Sequence, residues 1–149
     1  MLYLVSHVAG DRVAIPADRV VEVLPMVAVS AMAQPTAHFA GVIRYRGCFL
    51  LTFDLSQAVA GAPSPRLLST RILVLRLSGT DASPTLAGMI AERATSVMRI
   101  SDSDFQNPAS ARHRAGLLDG IAFDKTGAIR RLSVEAVASL MSSNSEVSA

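Results

Sequence analysis

The chain has 149 residues, of which half are hydrophobic and 17% are charged, so it can form one domain with a sizeable core and is not intrinsically disordered. Its net charge of +2 is too small, over this length, to indicate a nucleic-acid-binding surface by itself. The single cysteine, Cys48, excludes an intramolecular disulfide framework and agrees with a reducing cytoplasm.

The first forty residues predict a hairpin and a third strand. Apolar side chains recur in period two, and the turn signal Ala9-Gly10-Asp11 separates the first two runs. The segment between Pro25 and Ala40 is rich in small residues and is predicted to be irregular. The predicted elements are a strand over residues 1–10, a strand over 12–15, one helical turn over 17–19 and a strand over 20–24.

The clearest hairpin covers residues 41–55. Its turn is Arg46-Gly47, because a glycine there suits the positive φ that a tight hairpin turn requires. A short helix is predicted over residues 56–60. The Pro-rich segment 61–65 that follows is the best candidate for a boundary between two lobes.

The second half predicts further strands and a terminal helix. Ser133 is a suitable N-cap for that helix, because an apolar stripe at helical spacing follows it. The predicted elements are strands over residues 71–77, 85–91, 92–100, 117–118, 121–123 and 128–132, a polar loop over 101–115 and a helix from 133 to about 142.

This succession of short strands predicts a mainly β fold of two small five-stranded β-barrel lobes, with short helices and a C-terminal helix. Closely spaced strands with turns between them are typical of such barrels rather than of a parallel α/β sheet. The whole chain, 1–149, is expected to form a single domain. Its predicted parts are lobe one over about 12–65, lobe two over about 66–132, the helix 133–142 and a polar tail. Strands from the C-terminal half can also return to complete lobe one.

Motifs for catalysis, metal binding and membrane insertion are missing from the sequence. The histidines His7, His38 and His113 lie far apart and have no companion carboxylate at ligand spacing. Cys48 falls in a predicted strand, so we expect it to be packed or partly buried. The uncharged stretch 23–43 contains two prolines, which disfavours a membrane-spanning helix. We therefore expect no enzymatic activity, no cofactor, no metal, no direct membrane insertion and a cytoplasmic location.

A few charges stand among apolar neighbours. Glu22 lies in a run of valines, and Arg44 and Arg46 flank Tyr45 at the hairpin tip. One hypothesis is that these are edge charges that keep strands soluble. The other is a protein-binding surface, in which an arginine on a rigid turn donates forked hydrogen bonds. As an alternative function, the Arg-Tyr-Arg cluster is also compatible with a small Arg-rich β-barrel that binds nucleic acid.

Four segments occur in a characteristic order and spacing: Val13-Ala14-Ile15-Pro16, Val20-Val21-Glu22-Val23, Gly41-Val42-Ile43-Arg44-Tyr45-Arg46-Gly47 and Phe53-Asp54-Leu55. This series resembles the CheW-like domain of bacterial chemosensory coupling proteins, over nearly the whole chain. The resemblance implies two five-stranded barrels that share a hydrophobic interface. It also implies a non-enzymatic adaptor that joins a CheA-type histidine kinase to methyl-accepting receptors and is thereby recruited to membrane receptor arrays. Other CheW-like proteins are further implied partners, and nucleic acid is not one.

The resemblance also assigns roles to single residues. Val20 and Glu22 match family positions tied to receptor and kinase coupling, and Arg46 matches the arginine of the family's hairpin turn. Gly41 and Gly47 match turn glycines with a structural role.

The sequence departs from the family pattern at the hairpin. Arg44-Tyr45 stands where Asn-Leu is usual, and Leu51 replaces a proline. An extra positive charge beside Arg46 can change partner choice by repelling like charges. The run Val20-Val21-Glu22-Val23-Leu24-Pro25 is most similar to couplers of Wsp-type surface-sensing pathways, and we include that pathway beside chemotaxis in the expected function.

Overall fold

The computed structural model describes residues 1–26, 29, 39–80, 82–107 and 116–147. Most of the predicted irregular segment between Pro25 and Ala40, together with His38, and most of the polar loop with His113 lie outside these residues. Within the described part of the chain there are nine strands and two α-helices: β1 (Leu2–Val8), β2 (Asp11–Pro16), β3 (Val20–Pro25), β4 (Phe39–Tyr45), β5 (Cys48–Asp54), α1 (Leu55–Ala60), β6 (Thr70–Gly79), β7 (Pro84–Arg99), β8 (Leu118–Asp124), β9 (Gly127–Leu132) and α2 (Val134–Val147). Single 3-10 turns cover Ala17–Arg19 and Asp102–Asp104.

The strands form one continuous sheet, which confirms the mainly β prediction. Its order is β3-β6-β7-β1-β2-β9-β8, and the β4–β5 hairpin joins this path where β5 pairs with β7. Among the described residues this pairing does not close into barrels, because β3, β4 and β8 each pair with only one neighbour. The sheet nevertheless curves around shared apolar cores.

Strand β7 is the central element and connects two groups of strands. Its first half pairs with β6 and β5, and its second half pairs with β1. The sequence predicts two strands here, over residues 85–91 and 92–100, but the chain continues as one strand. Arg93 has φ of 53° at this crossing point, so the backbone departs from regular extended geometry without ending the strand.

The Pro-rich segment 61–65 lies between strands that belong to the same group. β3 precedes it and β6 follows it, and the two strands pair in antiparallel fashion. Segments from both halves of the chain therefore build the group β3-β6-β7-β5-β4. A division of the chain into lobes at residues 61–65 stays a prediction.

The largest apolar core is shared by the two groups of strands. Ile15 from β2, Phe53 from β5, Leu73 from β6 and Met89 from β7 are all fully buried in it, and Val137 of α2 packs into the same cluster. Ser133 caps α2 as predicted, since its Oγ accepts a hydrogen bond from the Ala136 amide at 3.1 Å. Helix α2 extends to Val147, beyond the predicted end at residue 142.

The contact between β5 and β7 depends on a glycine. Thr52 pairs with Gly88 in parallel register, and Thr52 is fully buried. A Cβ atom at position 88 would lie 2.5 Å from Thr52 Oγ1 and 3.2 Å from Thr52 Cβ. Only glycine permits this approach, which attaches the β4–β5 hairpin to the central strand.

Asp54 links the end of β5 to α1 and to the segment after it. Its carboxylate is 3% exposed and accepts hydrogen bonds from the amides of Ser56 and Gln57 in the first turn of α1. It also accepts hydrogen bonds from the Ser64 amide at 2.9 Å and the Ser64 hydroxyl at 2.7 Å. One buried carboxylate thus caps the helix and holds the Pro-rich segment.

Arg12 and Asp124 form a forked ion pair between β2 and the β8–β9 turn. The two Nη atoms of Arg12 lie 2.9 and 2.5 Å from the two carboxylate oxygens of Asp124. The pKa of Asp124 is held well below its ordinary value, chiefly by the hydrogen bond from Arg12 and next by hydrogen bonds from Thr126. This ion pair links β2 to the end of β8, which lies 112 residues further along the chain.

We expect acid to weaken the fold partly through Asp124. Because the folded-state pKa is depressed, the carboxylate contributes stability well above pH 3.8, its ordinary value, and loses that contribution as the pH falls below it. Thermal unfolding midpoints of the wild type and Asp124→Asn, measured between about pH 6 and about pH 3, should therefore converge on acidification. A constant difference between the two proteins across this range would contradict the assignment.

Among the described residues, no helix is both long enough and apolar enough to cross a lipid bilayer.

Candidate protein-interaction site

The tip of the β4–β5 hairpin is a tight two-residue turn. Tyr45 pairs with Cys48, and the two residues between them, Arg46 and Gly47, have φ of 49° and 80°. Positive φ at both positions is the conformation that matches the twist of the flanking strands. Glycine adopts it without strain, whereas Arg46 is a non-glycine residue in the left-handed region. The turn therefore holds the arginine in a strained and well-defined position.

Glu22 lies on the inward face of β3, opposite this turn. The β3 side chains alternate, so that Val20, Glu22 and Leu24 are half-buried while Val21 and Val23 are exposed. A carboxylate on an inward face needs hydrogen-bond donors. Two side chains from the neighbouring hairpin supply them.

Both donors bind the same oxygen of Glu22. The Tyr45 hydroxyl donates to Glu22 Oε1 at 2.9 Å, and Arg46 Nη2 donates to it at 2.8 Å. The Arg46 guanidinium also lies 5.2 Å from the centre of the Tyr45 ring, within range of a cation–π contact. We refer to Glu22, Tyr45 and Arg46 as the tip cluster.

The members of the tip cluster differ in their access to solvent. Tyr45 is 7% exposed and packs in an apolar cluster with Ile43 and Leu50. Burial raises the pKa of its phenol, and the hydrogen bond to Glu22 raises the pKa further. The Arg46 side chain is 73% exposed, against 36% for Glu22. The cluster thus presents its positive charge outward and keeps the phenol fixed below.

An open groove of about 300 Å³ adjoins the tip cluster. Its walls are mostly apolar, and arginines from the turn and from β6 complete its lining. The size and the mostly apolar lining of this groove suit an apolar side chain. The lining residues are Val21, Tyr45, Arg46, Cys48, Leu50, Arg76, Pro84 and Leu86.

The fold brings three of the predicted interaction residues together and separates two others. Glu22, Tyr45 and Arg46 form the tip cluster. Val20 is half-buried against the large shared core. Arg44 is exposed and lies opposite Phe49, itself 74% exposed, in the hairpin register; because side chains alternate along a strand, it lies on the face away from Tyr45.

The two predicted turn glycines also differ. Gly47 occupies the hairpin turn, as predicted. Gly41 lies inside β4, at a bulge in its pairing with β5, and has φ of 147°. Its positive φ explains the need for glycine, but the turn prediction for Gly41 is wrong.

Two features of the site do not follow from the sequence patterns: the exposure of Cys48 and the contribution of β6 and β7 to the groove. Cys48 is exposed and lines the groove, contrary to the expectation of burial. The strand register at the turn decides this, because Cys48 follows the tight turn directly. Arg76 and Leu86 are cross-strand neighbours, a pairing for which the sequence carries no short-range signal.

A second polar cluster lies on the other group of strands. Buried Tyr3 donates to Asp102 at 3.0 Å, and the Arg131 guanidinium lies 4.7 Å from the centre of the Phe105 ring. Arg131 Nε donates to Asp119 at 2.7 Å. Burial is the main reason that the pKa of Tyr3 is raised. These hydrogen bonds and the cation–π contact attach the segment after β7 to the β8–β9 hairpin.

Among the described residues, no three side chains of the types that ligate metals gather into one group. The tip cluster and its surroundings consist of an exposed guanidinium on a rigid turn beside a mostly apolar groove. The chain matches the family model of the CheW-like domain over residues 2–141, and it belongs to that family. CheW-like proteins are non-enzymatic scaffolding proteins, so the tip cluster is not a catalytic site.

A solved structure agrees with this assignment. The chain is similar to the scaffolding protein TtCheW from Thermoanaerobacter tengcongensis, with a TM-score of 0.78 and 19% sequence identity. The match covers 89% of this chain and 83% of that chain, and it supports the CheW-like fold. No curated protein matches the chain in sequence.

Proposed function

We propose that the protein couples methyl-accepting receptors to a CheA-type histidine kinase, through contacts with the kinase's regulatory domain. The observation that carries the proposal is the CheW-like family match over residues 2–141, on a chain whose tip cluster presents an arginine outward. The action is that of an adaptor: it binds two proteins and adds no chemistry of its own. We place it in the cytoplasm, recruited to membrane receptor arrays, where other CheW-like proteins are further partners.

The proposed contact surface consists of the tip cluster and the groove beside it. Arg46 has most of its side chain in solvent, so a partner reaches its guanidinium without unfolding the hairpin. The groove supplies apolar area, which is the main source of affinity in protein interfaces, while the charge supplies orientation and specificity. For Val20 and Arg44 a role in the interaction stays a prediction.

Binding by the full chain tests the proposal. We expect the purified protein to bind the regulatory domain of the CheA-type kinase from the same organism, and a receptor signalling tip, each saturably at micromolar concentration in isothermal titration calorimetry. The pathway of the receptor that binds, chemotaxis or Wsp-type surface sensing, then identifies the output. No binding at high micromolar concentration, in an experiment where an authentic CheW coupler binds the same kinase domain, would overturn the proposal.

A further inference from the structure

In the tip cluster two donors share one carboxylate oxygen. Tyr45 and Arg46 both donate to Glu22 Oε1, at 2.9 and 2.8 Å. The Tyr45 donor is fixed, because its ring is 7% exposed and packs in a buried apolar cluster. The Arg46 donor is free to leave, because its side chain is 73% exposed at the hairpin tip.

When a partner binds, Arg46 can leave Glu22, whereas Tyr45 keeps its hydrogen bond to Glu22. A carboxylate of the partner that takes the Arg46 guanidinium competes directly with Glu22 for it. Once Arg46 has turned away, Glu22 would be a half-buried carboxylate on an inward strand face, and Tyr45 is the side chain that still donates to it. A half-buried carboxylate that keeps a donor is far less costly than one that loses all of them.

We infer that Tyr45 is a positioning residue of the interaction site: its hydroxyl holds Glu22 in place and thereby lowers the cost of releasing Arg46 to an acidic group on the partner. Tyr45 stands where the family pattern has leucine, which has neither a hydroxyl nor a ring. The positioning of Glu22 by a tyrosine hydroxyl is therefore specific to this chain and is not part of the family pattern. The inference rests on the proposed function, since it concerns the affinity of the same site.

The sign of the effect follows from the sharing of one oxygen. In the free protein Tyr45 and Arg46 share the charge of one oxygen, which weakens each hydrogen bond, whereas in the complex Tyr45 donates to that oxygen without Arg46. The hydroxyl therefore stabilises the bound state more than the free state. Its removal should weaken binding by about twofold to fivefold, which is part of the effect of one hydrogen bond, because only the difference between the two states changes the affinity.

Tyr45→Phe tests this, because it removes the hydroxyl and keeps the ring. We expect the dissociation constant for the CheA-type regulatory domain to rise about twofold to fivefold. The thermal unfolding midpoint of each variant should be measured alongside, so that affinities are compared between folded proteins. Binding of Tyr45→Phe with wild-type affinity would overturn the inference.

A double-mutant cycle tests whether the hydroxyl acts through Glu22. In a Glu22→Ala background the hydroxyl has no carboxylate to hold, so adding Tyr45→Phe should leave the affinity unchanged. A loss that persists at full size in that background would show that the hydroxyl acts independently of Glu22, and would also overturn the inference. If the wild-type protein itself does not bind the kinase domain, the proposed function fails, and that result is distinct from either outcome of the cycle.

Discussion

Arg46→Glu should reduce the affinity for the CheA-type regulatory domain by about 30-fold to 100-fold, as expected for an arginine at the centre of an interface. The change removes the guanidinium that the hairpin presents to solvent. It also places a second carboxylate beside Glu22, so that the tip cluster repels the acidic groups it otherwise attracts. Arginine and glutamate are both unbranched at Cβ, so the left-handed conformation of residue 46 is equally strained in each.

Arg99→Glu is the matched control for this substitution. Arg99 is exposed near the end of β7, in the half of that strand that pairs with β1, and it undergoes the same change of charge. We expect it to alter affinity by less than about threefold, as is usual for a charge outside the interface. Both variants should keep their unfolding midpoint within about 3 °C of the wild type, because exposed ion pairs contribute little to stability. Equal losses of affinity in the two variants would indicate a non-specific effect of net charge and would remove Arg46 from the site.

Asp54→Ala should lower the free energy of unfolding by about 3 kcal/mol, the largest effect on stability that we predict. The substitution removes the acceptor for four hydrogen bonds, from the amides of Ser56, Gln57 and Ser64 and from the Ser64 hydroxyl. With Asp54 at 3% exposure, water does not readily replace these bonds. Helix α1 loses its N-cap and the Pro-rich segment loses its attachment at the same time.

Urea denaturation followed by circular dichroism measures this effect. Asp104→Ala, at an exposed carboxylate in the 3-10 turn after β7, is the control and should change stability by less than about 0.5 kcal/mol. Asp54→Asn should have an intermediate effect, because its amide oxygen still accepts from the helix amides but carries no charge. A stability of Asp54→Ala equal to that of the control would mean that the four hydrogen bonds contribute no net stability.

Local patterns predicted most of the secondary structure correctly. The Arg46-Gly47 turn, the strand Val20–Leu24 and the Ser133 cap each depend on a few consecutive residues whose conformational preferences are strong. Local patterns were wrong at residues 85–100, where they predict two strands and the structure has the single strand β7. Arg93 interrupts the regular geometry without ending β7, because β6 and β1 both pair with the strand at Glu92 and the pairing with β1 continues from Ser96 after a bulge.

Part of the site was also visible in the sequence. Glu22 and Arg46 stand out in the sequence because they are charges among apolar residues, and because they match positions of the CheW-like family. The groove was not visible, since its walls come from β3, β6 and β7 as well as the hairpin. The opposite placements of Arg44 and Tyr45 follow from strand alternation, but which of them faces Glu22 depends on how the hairpin packs.

The sequence by itself determined the class of fold, the hairpin turn and the family, because period-two patterns, turn residues and motif spacing are local properties of a chain. Only the tertiary structure decided that Tyr45 and Arg46 converge on one oxygen of Glu22. Residues 22 and 45 lie on strands that do not pair with each other among the described residues. Their contact arises because β3 and the β4–β5 hairpin are each attached, through β6 and β5, to the same central strand β7. No local preference encodes such an approach, since it results from how the sheet curves around its core.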